Sequence, residues 1–285
     1  MLTRVAAAAA TATTALTLAV AGPLGPGSAN AADVPPDHAF IFPEPALVGA
    51  NDFTCKPTAD KPNPVVLVHG LGATASENWY FLAPQLAAQG YCVYAKTYGM
   101  DARYTSRGGF KSMERSAAEL SAFVNEVLAA TGAKKVDLVG HSEGAIMPRW
   151  YLKFLGGAAK VDHFIGWAGP NHGTNIHGIT ELRTVIPGWD AQMGTYCGSC
   201  PQFMPGSDFL TKLNAGDGTP GQVHYTVIVT KYDELVTPYS TSFLDGAENI
   251  ALQDVDPANY AGHTSMAWDA LTFQLTFKAL QAHSH

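Results

Sequence analysis

The sequence predicts an α/β domain built on a mostly parallel sheet, and three observations carry that expectation. The chain has 285 residues, 47% of them hydrophobic and 14% charged, which is enough apolar material for one large core. Short continuous apolar runs ending near Gly, Pro or Asp recur along it, as in strands buried on both faces. Between them lie segments whose apolar residues repeat at helical spacing, and strands alternating with helices imply a parallel sheet covered on both sides.

Taken in order, residues 1–31 stand outside the domain. Arg4, an Ala/Leu/Val-rich run to Val20, a Gly/Pro break and Ala29-Asn30-Ala31 read as a secretory signal peptide. The run is diluted by Thr and short for a bilayer span, so no stable membrane anchor is expected. Residues 32–63 are Pro-rich and aperiodic, an extended arm ahead of a catalytic-size domain at 64–285. Strands are expected at "PVVLVHG" (64–70), "YCVYAKTY" (91–98), "KVDLVG" (135–140), "VDHFIGWAG" (161–169), "VHYTVIVT" (223–230) and "NIALQDV" (249–255). The clearest helix places Met113, Ala117, Leu120, Val124 and Val127 on one face. Residues 171–222 break the alternation. They are rich in Gly, Pro, Asn and Thr, a loop-rich cap or insert holding one short helix capped by Ser207 and running to Asn214.

The formal charge is −7, and loss of Arg4 with the leader makes it more negative. That argues against nucleic acid or anionic membranes as partners. Export to an oxidising compartment makes Cys55, Cys92, Cys197 and Cys200 two disulfides, with three possible connectivities. Proximity favours Cys197 with Cys200 inside "CGSC", leaving Cys55 with Cys92. A redox role for that CxxC lacks a thioredoxin-like βαβ context.

The stretch "VDLVGHSEGAIM" (136–147) carries the chemistry. A strand that turns into a helix over one residue forces that residue into a strained conformation with its side chain thrust outward. Gly140 and Gly144 relieve the crowding around Ser142. Its hydroxyl would sit at a helix N-terminus, where amides and dipole favour negative charge. Chance could produce one G-x-S-x-G in a chain with 28 glycines, but this one follows a predicted buried strand and has no second copy.

A serine hydroxyl needs a base and a group that orients the base. With a nucleophile on such a turn the partners follow in the order Ser, acid, His. His263, in "NYAGHTSMAW" after the last strand, is the candidate base. Asp233, in "VIVTKYDELVTPY", is the candidate acid, with Glu234 its nearest competitor and Asp254 and Asp256 behind it. His141 should pack rather than react. His172 and His177 are pocket-lining or exposed, and their spacing lacks a third metal ligand, so neither metal nor cofactor is expected. The backbone N–H groups of Leu71, in "VHGLGA", and Glu143 are the candidate oxyanion donors. The Glu143 carboxylate, if close to His263, would favour the imidazolium and move activity toward higher pH.

"NPVVLVHGLGA", "TGAKKVDLVGHSEGA", "WYLKFLGGAAKVDHFIGWAGPNHGT", "YTVIVTKYDELVTPY" and "NIALQDV…AGHTSMAW" together resemble the secreted bacterial lipases of the α/β-hydrolase superfamily, the group called lipase class 2. The resemblance spans residues 63–280, with five blocks in the family's order. It implies an α/β-hydrolase fold, Ser142 as nucleophile, Asp233 as acid, His263 as base, and Leu71 and Glu143 at the oxyanion positions. Cysteines placed like Cys55 and Cys92 are bridged in related fungal lipases, which supports that pairing. Two departures stand out: Glu143 replaces the usual Gln or Met after the serine, and the 171–222 segment is longer than in the smallest members. The expected activity is carboxylic ester hydrolysis on lipid or acylglycerol substrates by a secreted monomer. A polyester hydrolase (cutin, suberin or synthetic), an acyltransferase with the same triad, and a binding module on a retired fold are the other readings.

Overall fold

The computed structural model describes residues 44–104, 106–176 and 185–282. The predicted leader therefore lies outside the described residues. Among these residues six strands form one sheet: β1 (Val65–Val68), β2 (Val93–Ala95), β3 (Val136–His141), β4 (Val161–Trp167), β5 (His224–Val229) and β6 (Glu248–Ala251). Their order is β2-β1-β3-β4-β5-β6, and every neighbouring pair is parallel. Among the described residues eight α-helical segments accompany them: α1 (Ala75–Trp79), α2 (Leu82–Ala88), α3 (Met113–Thr131), α4 (Glu143–Phe154), α5 (Trp189–Tyr196), α6 (Asp208–Asn214), α7 (Leu252–Val255) and α8 (Ala270–Gln281).

The period of two along each strand sorts side chains onto two faces. Val66, Val68, Leu138 and Phe164 pack with Met113, Leu120 and Val124 of α3 and Ile146 of α4. Val65, Leu67, Val139, Ile165 and Trp167 pack instead with Trp79, Leu82 and Leu86 of α1 and α2, and with Phe273 and Leu280 of α8. Because both faces are covered, β1 and β3 are buried at every position, which is why their sequences run apolar rather than alternate. Trp167 is fully buried and gives its indole N–H to Thr276 at 3.0 Å, so its polar atom is satisfied inside the core. α3 stops at Gly132, whose φ of 75° ends the helix with its N–H on Leu128 O.

The edge at β2 is covered rather than exposed. Asn51 donates its N–H to Val93 O at 2.8 Å, and its side-chain amide exchanges two bonds of 2.9 Å with Ala95. The Cys55–Cys92 disulfide fastens the same segment. Cys197 and Cys200 form the second bridge, so both pairings are those that proximity favoured.

Five of the six strands are shorter than the sequence predicts, and for β2 and β6 the cause is a tertiary bond. β2 ends at Ala95 because Thr97 and Tyr98 turn to the loop after β1, the first accepting from Ala75 N and the second giving its N–H to His69 Nε2. β6 ends at Ala251 because Gln253 is claimed by the loop after β5: its amide donates to Thr230 Oγ1 and its oxygen accepts from Lys231 N. Leu252–Val255 therefore winds into α7. Within the insert, α6 forms where expected, with Ser207 Oγ accepting from Leu210 N. α5 is an addition that its weak apolar periodicity hid, for none of its residues is buried.

Candidate active site

The chain leaves β1 toward β2 on one side and leaves β3 toward β4 on the other, so the loops after β1 and β3 diverge. Clefts form at the carboxyl ends of strands at such a switch point. Leu71 follows β1 and Ser142 follows β3, and both line one cavity of about 520 Å³ together with His263. Thr174, Ile176 and Phe203 from the insert, and Leu235, Val236, Ala267 and Trp268 from the loops after β5 and β6, complete a mainly apolar wall.

Ser142 has φ 57° and ψ −117°, a conformation that non-glycine residues rarely adopt. The turn is held by Ser142 N–H to Trp167 O (2.8 Å) and Ala145 N–H to Ser142 O (2.9 Å). Its flanking glycines are sterically required. A Cβ on Gly140 would come 1.7 Å from Gly144 O, and one on Gly144 would come 2.0 Å from Val68 O.

Asp233 and His263 meet across the site. Asp233 Oδ1 accepts from Leu235 N (2.9 Å) and Val236 N (2.6 Å), which fixes the carboxylate, and Oδ2 accepts from His263 Nδ1 at 2.9 Å. Both side chains are buried. With Nδ1 so engaged, Nε2 is the ring's remaining acceptor. Glu234, the nearest competitor for the acid's place, instead accepts the His263 backbone N–H at 2.8 Å and anchors the histidine loop. One residue of offset turns the two carboxylates to different jobs.

His141 packs as expected. Its Nε2 bonds His263 O at 3.0 Å, and burial, with His263 close by, pushes its pKa down to about 3. His69 is likewise lowered to about 4 by burial. Both rings are therefore neutral supports. His172 is exposed and bonds Phe243 O, and His177 lies outside the described residues. No group of metal-ligating side chains assembles among the described residues.

Among the described residues the Leu71 N–H donates to no backbone carbonyl, and Glu143 is the first residue of α4, where an N–H has no intrahelical partner. The Glu143 side chain departs from the sequence-based expectation. It does not approach His263 but turns inward, beside the hydroxyls of Ser199 and Tyr98 and against Gly109. It is fully buried, and neither carboxyl oxygen has a hydrogen-bond partner among the described residues. The Tyr98 hydroxyl donates to His69 O (2.8 Å) and that of Ser199 to Gly109 O (2.6 Å), so lone pairs are what they offer to Glu143. Burial raises its pKa to about 8, and the carboxyl is neutral at pH 7. The reason for the miss is physical: a first-turn glutamate normally faces solvent, but here every residue from Glu143 to Arg149, the first two turns of α4, is buried.

Sequence reasoning also missed Arg107, which lines the cleft, bonds Gly72 O at 2.7 Å and pairs with Glu77. Nothing in its local sequence signals that contact.

Among curated proteins, a triacylglycerol lipase of Burkholderia plantarii is 35% identical over 114 residues, 37% of this chain and 28% of that one. A triacylglycerol lipase of Pseudarthrobacter phenanthrenivorans is 37% identical over 95 residues, 30% of this chain and 27% of that one. The chain thus spans under a third of the length of these relatives. Among solved structures, Aspergillus fumigatus lipase B superposes with a TM-score of 0.62 at 21% identity, covering 78% of this chain and 53% of that one. Bacillus licheniformis lipase BlEst2 in its mature form gives 0.59 at 20% identity, covering 79% and 94%. At those identities the likeness speaks for the α/β-hydrolase fold alone. The family profile described as Lipase (class 2) matches residues 62–275, from the first strand into α8, and the chain belongs to that family.

Proposed function

We propose that the chain is a secreted serine ester hydrolase that cleaves acylglycerols or other lipid esters through Ser142, His263 and Asp233. The observation that carries this reading is the meeting, on one apolar cleft, of a serine on a strained strand–helix turn with a histidine held by a buried aspartate. Asp233 keeps the ring proton on Nδ1, so Nε2 takes the proton of Ser142 as its Oγ attacks the ester carbonyl. The carbonyl oxygen becomes negative, and the Leu71 and Glu143 amides, with the amino end of α4 behind them, hold that charge. His263 then gives its proton to the departing alcohol. Water enters, loses a proton to the same nitrogen, attacks the acyl-enzyme and frees the acid, restoring Ser142. Secretion is supported by the two disulfides and by the character of residues 1–31. Among the described residues no helix is long and apolar enough to cross a membrane.

A polyester substrate is the second reading, favoured by exposed aromatic side chains on the loops that bear the candidate acid and base. Tyr232 and Tyr260 stack at 5.4 Å on the loops that carry Asp233 and His263, and Trp268 at the cleft is 54% exposed. The deciding experiment is a panel of nitrophenyl esters from short to long acyl chains, triglyceride emulsions and a solid polyester, each with and without an added alcohol acceptor. Triglyceride turnover abolished by Ser142→Ala supports the lipid reading. Turnover of the polymer alone moves the substrate class, acyl transfer to the alcohol in preference to water moves the reaction, and no turnover of any ester removes the proposal.

A further inference from the structure

Behind the two candidate oxyanion amides, the chain from Arg107 to Phe110 runs along the loop after β1. Gly72 N–H donates to Gly108 O at 2.9 Å, and Gly108 N–H returns to Ala73 O at 3.0 Å. Arg107 Nη1 adds its bond to Gly72 O. Gly109, with φ +82°, is seated directly behind the site. A Cβ there would come 2.9 Å from Leu71 Cα and 3.2 and 3.3 Å from the Glu143 carboxyl oxygens, so this one glycine abuts both candidate oxyanion residues.

Gly109 and its neighbour are in turn held by the ring that Cys197 and Cys200 close. Ser199 Oγ donates to Gly109 O at 2.6 Å, and Gly198 N–H donates to Phe110 O at 2.7 Å. Ser199 is fully buried. A Cβ on Gly198 would come 2.8 Å from Ser112 N and 3.3 Å from Phe110 O, so the ring is seated without spare room. A ring of three-residue separation restricts the unfolded chain far less than one of 37, which leaves its purpose to be sought in the folded state.

We propose that the Cys197–Cys200 ring braces the oxyanion loop: Gly198 and Ser199 press Gly109 against Leu71 and Glu143, making Ser199 and Gly109 positioning residues that set the spacing of the two amides. The inference rests on the oxyanion assignment made under the proposed function. Such donors stabilise charge only while they stay within about 3 Å of the developing oxyanion, so slack behind them lowers turnover without weakening substrate binding.

The test is steady-state hydrolysis of a soluble nitrophenyl butyrate, together with the rate at which a fluorophosphonate labels Ser142, because its phosphonyl oxygen occupies the same amides. Wild type, Ser199→Ala, Gly109→Ala and Cys197→Ser/Cys200→Ser are compared well below their melting temperatures. Ser199→Ala is expected to lower kcat about 10-fold and Gly109→Ala about 100-fold, against the 10²–10³ that complete loss of one oxyanion donor costs. KM stays within about twofold, and the labelling rate falls in step with kcat. The ring-opened variant should behave like Ser199→Ala and decides the matter if that variant does not fold. Wild-type kcat in the folded variants, or a lower kcat with an unchanged labelling rate, overturns the brace. Ser142→Ala runs beside them: if it still hydrolyses the ester, the oxyanion assignment itself fails, whatever Ser199 does.

Discussion

Strand β3 carries a buried carboxyl near each end, and the two are treated differently. Near the amino end, Asp137 Oδ1 accepts from Asn63 Nδ2 and His163 N, both at 3.1 Å, while neighbouring Asp162 is paired with Lys135 at 2.8 Å. Just past the carboxyl end, the Glu143 carboxyl oxygens have no hydrogen-bond partner among the described residues, Ser142 is strained, and Gly140 and Gly144 leave no room for a Cβ. The carboxyl at the amino end is hydrogen-bonded, whereas the carboxyl end stores strain and a carboxyl held neutral by burial beside the cleft. Strain of this kind, about 1–3 kcal/mol per outlying residue, persists where the surroundings enforce it, and it gathers at functional sites.

The largest effect should come from the strained end. Ser142→Ala is expected to lower kcat by about 10⁵-fold while leaving the melting temperature unchanged, because the hydroxyl contributes little to packing. Activity near wild type would make the strain at Ser142 irrelevant to chemistry and erase the contrast. Asp233→Asn should cost about 10³–10⁴-fold in kcat, since an amide cannot hold the His263 tautomer or stabilise its cation, with KM little changed. A fall of less than tenfold would reassign the orienting role, with Glu234 the first alternative.

Smaller effects separate the two carboxyls themselves. Folding raises the Glu143 pKa from 4.5 to about 8, so across that window the folded state holds a proton that the unfolded state has released, and stability declines as pH rises. Glu143→Gln removes this dependence. Thermal melts should show the variant level with wild type near pH 4.5 and increasingly more stable up to pH 9. Parallel melting curves for the two proteins would mean that the carboxyl is solvated or paired. Asp137 is raised to about 7, by burial and then by the Asp162 charge, so Asp137→Asn should show the same sign in a narrower window that closes near pH 7. Its effect should be the smallest, because an asparagine oxygen keeps both bonds from Asn63 and His163. A larger gain than that of Glu143→Gln would reverse the ranking of the two ends.

What was legible in the sequence follows the same division. Apolar runs announce themselves, so the cores of all six strands, α3 and the turn at Ser142 could be placed from residue type alone. The meeting of Asp233 and His263 could be anticipated because each follows a strand on the side where clefts form. The lengths of β2 and β6 were hidden because tertiary bonds from His69, Thr230 and Lys231 end them, and periodicity carries no record of such partners. The inward turn of Glu143 was hidden for the same reason: local rules place a first-turn carboxylate in solvent, and only the packing of Gly109, Tyr98 and Ser199 around it decides otherwise.

In the proposed function Ser142 is the nucleophile that His263 and Asp233 activate. Its most direct test is to titrate the mature protein with a fluorophosphonate, map the labelled peptide by mass spectrometry and follow residual ester hydrolysis. One phosphonyl group on Ser142, with activity falling in proportion to labelling and no labelling of His263→Ala on the same timescale, is the predicted result. Stoichiometric labelling elsewhere, or full activity with Ser142 blocked, would contradict the account.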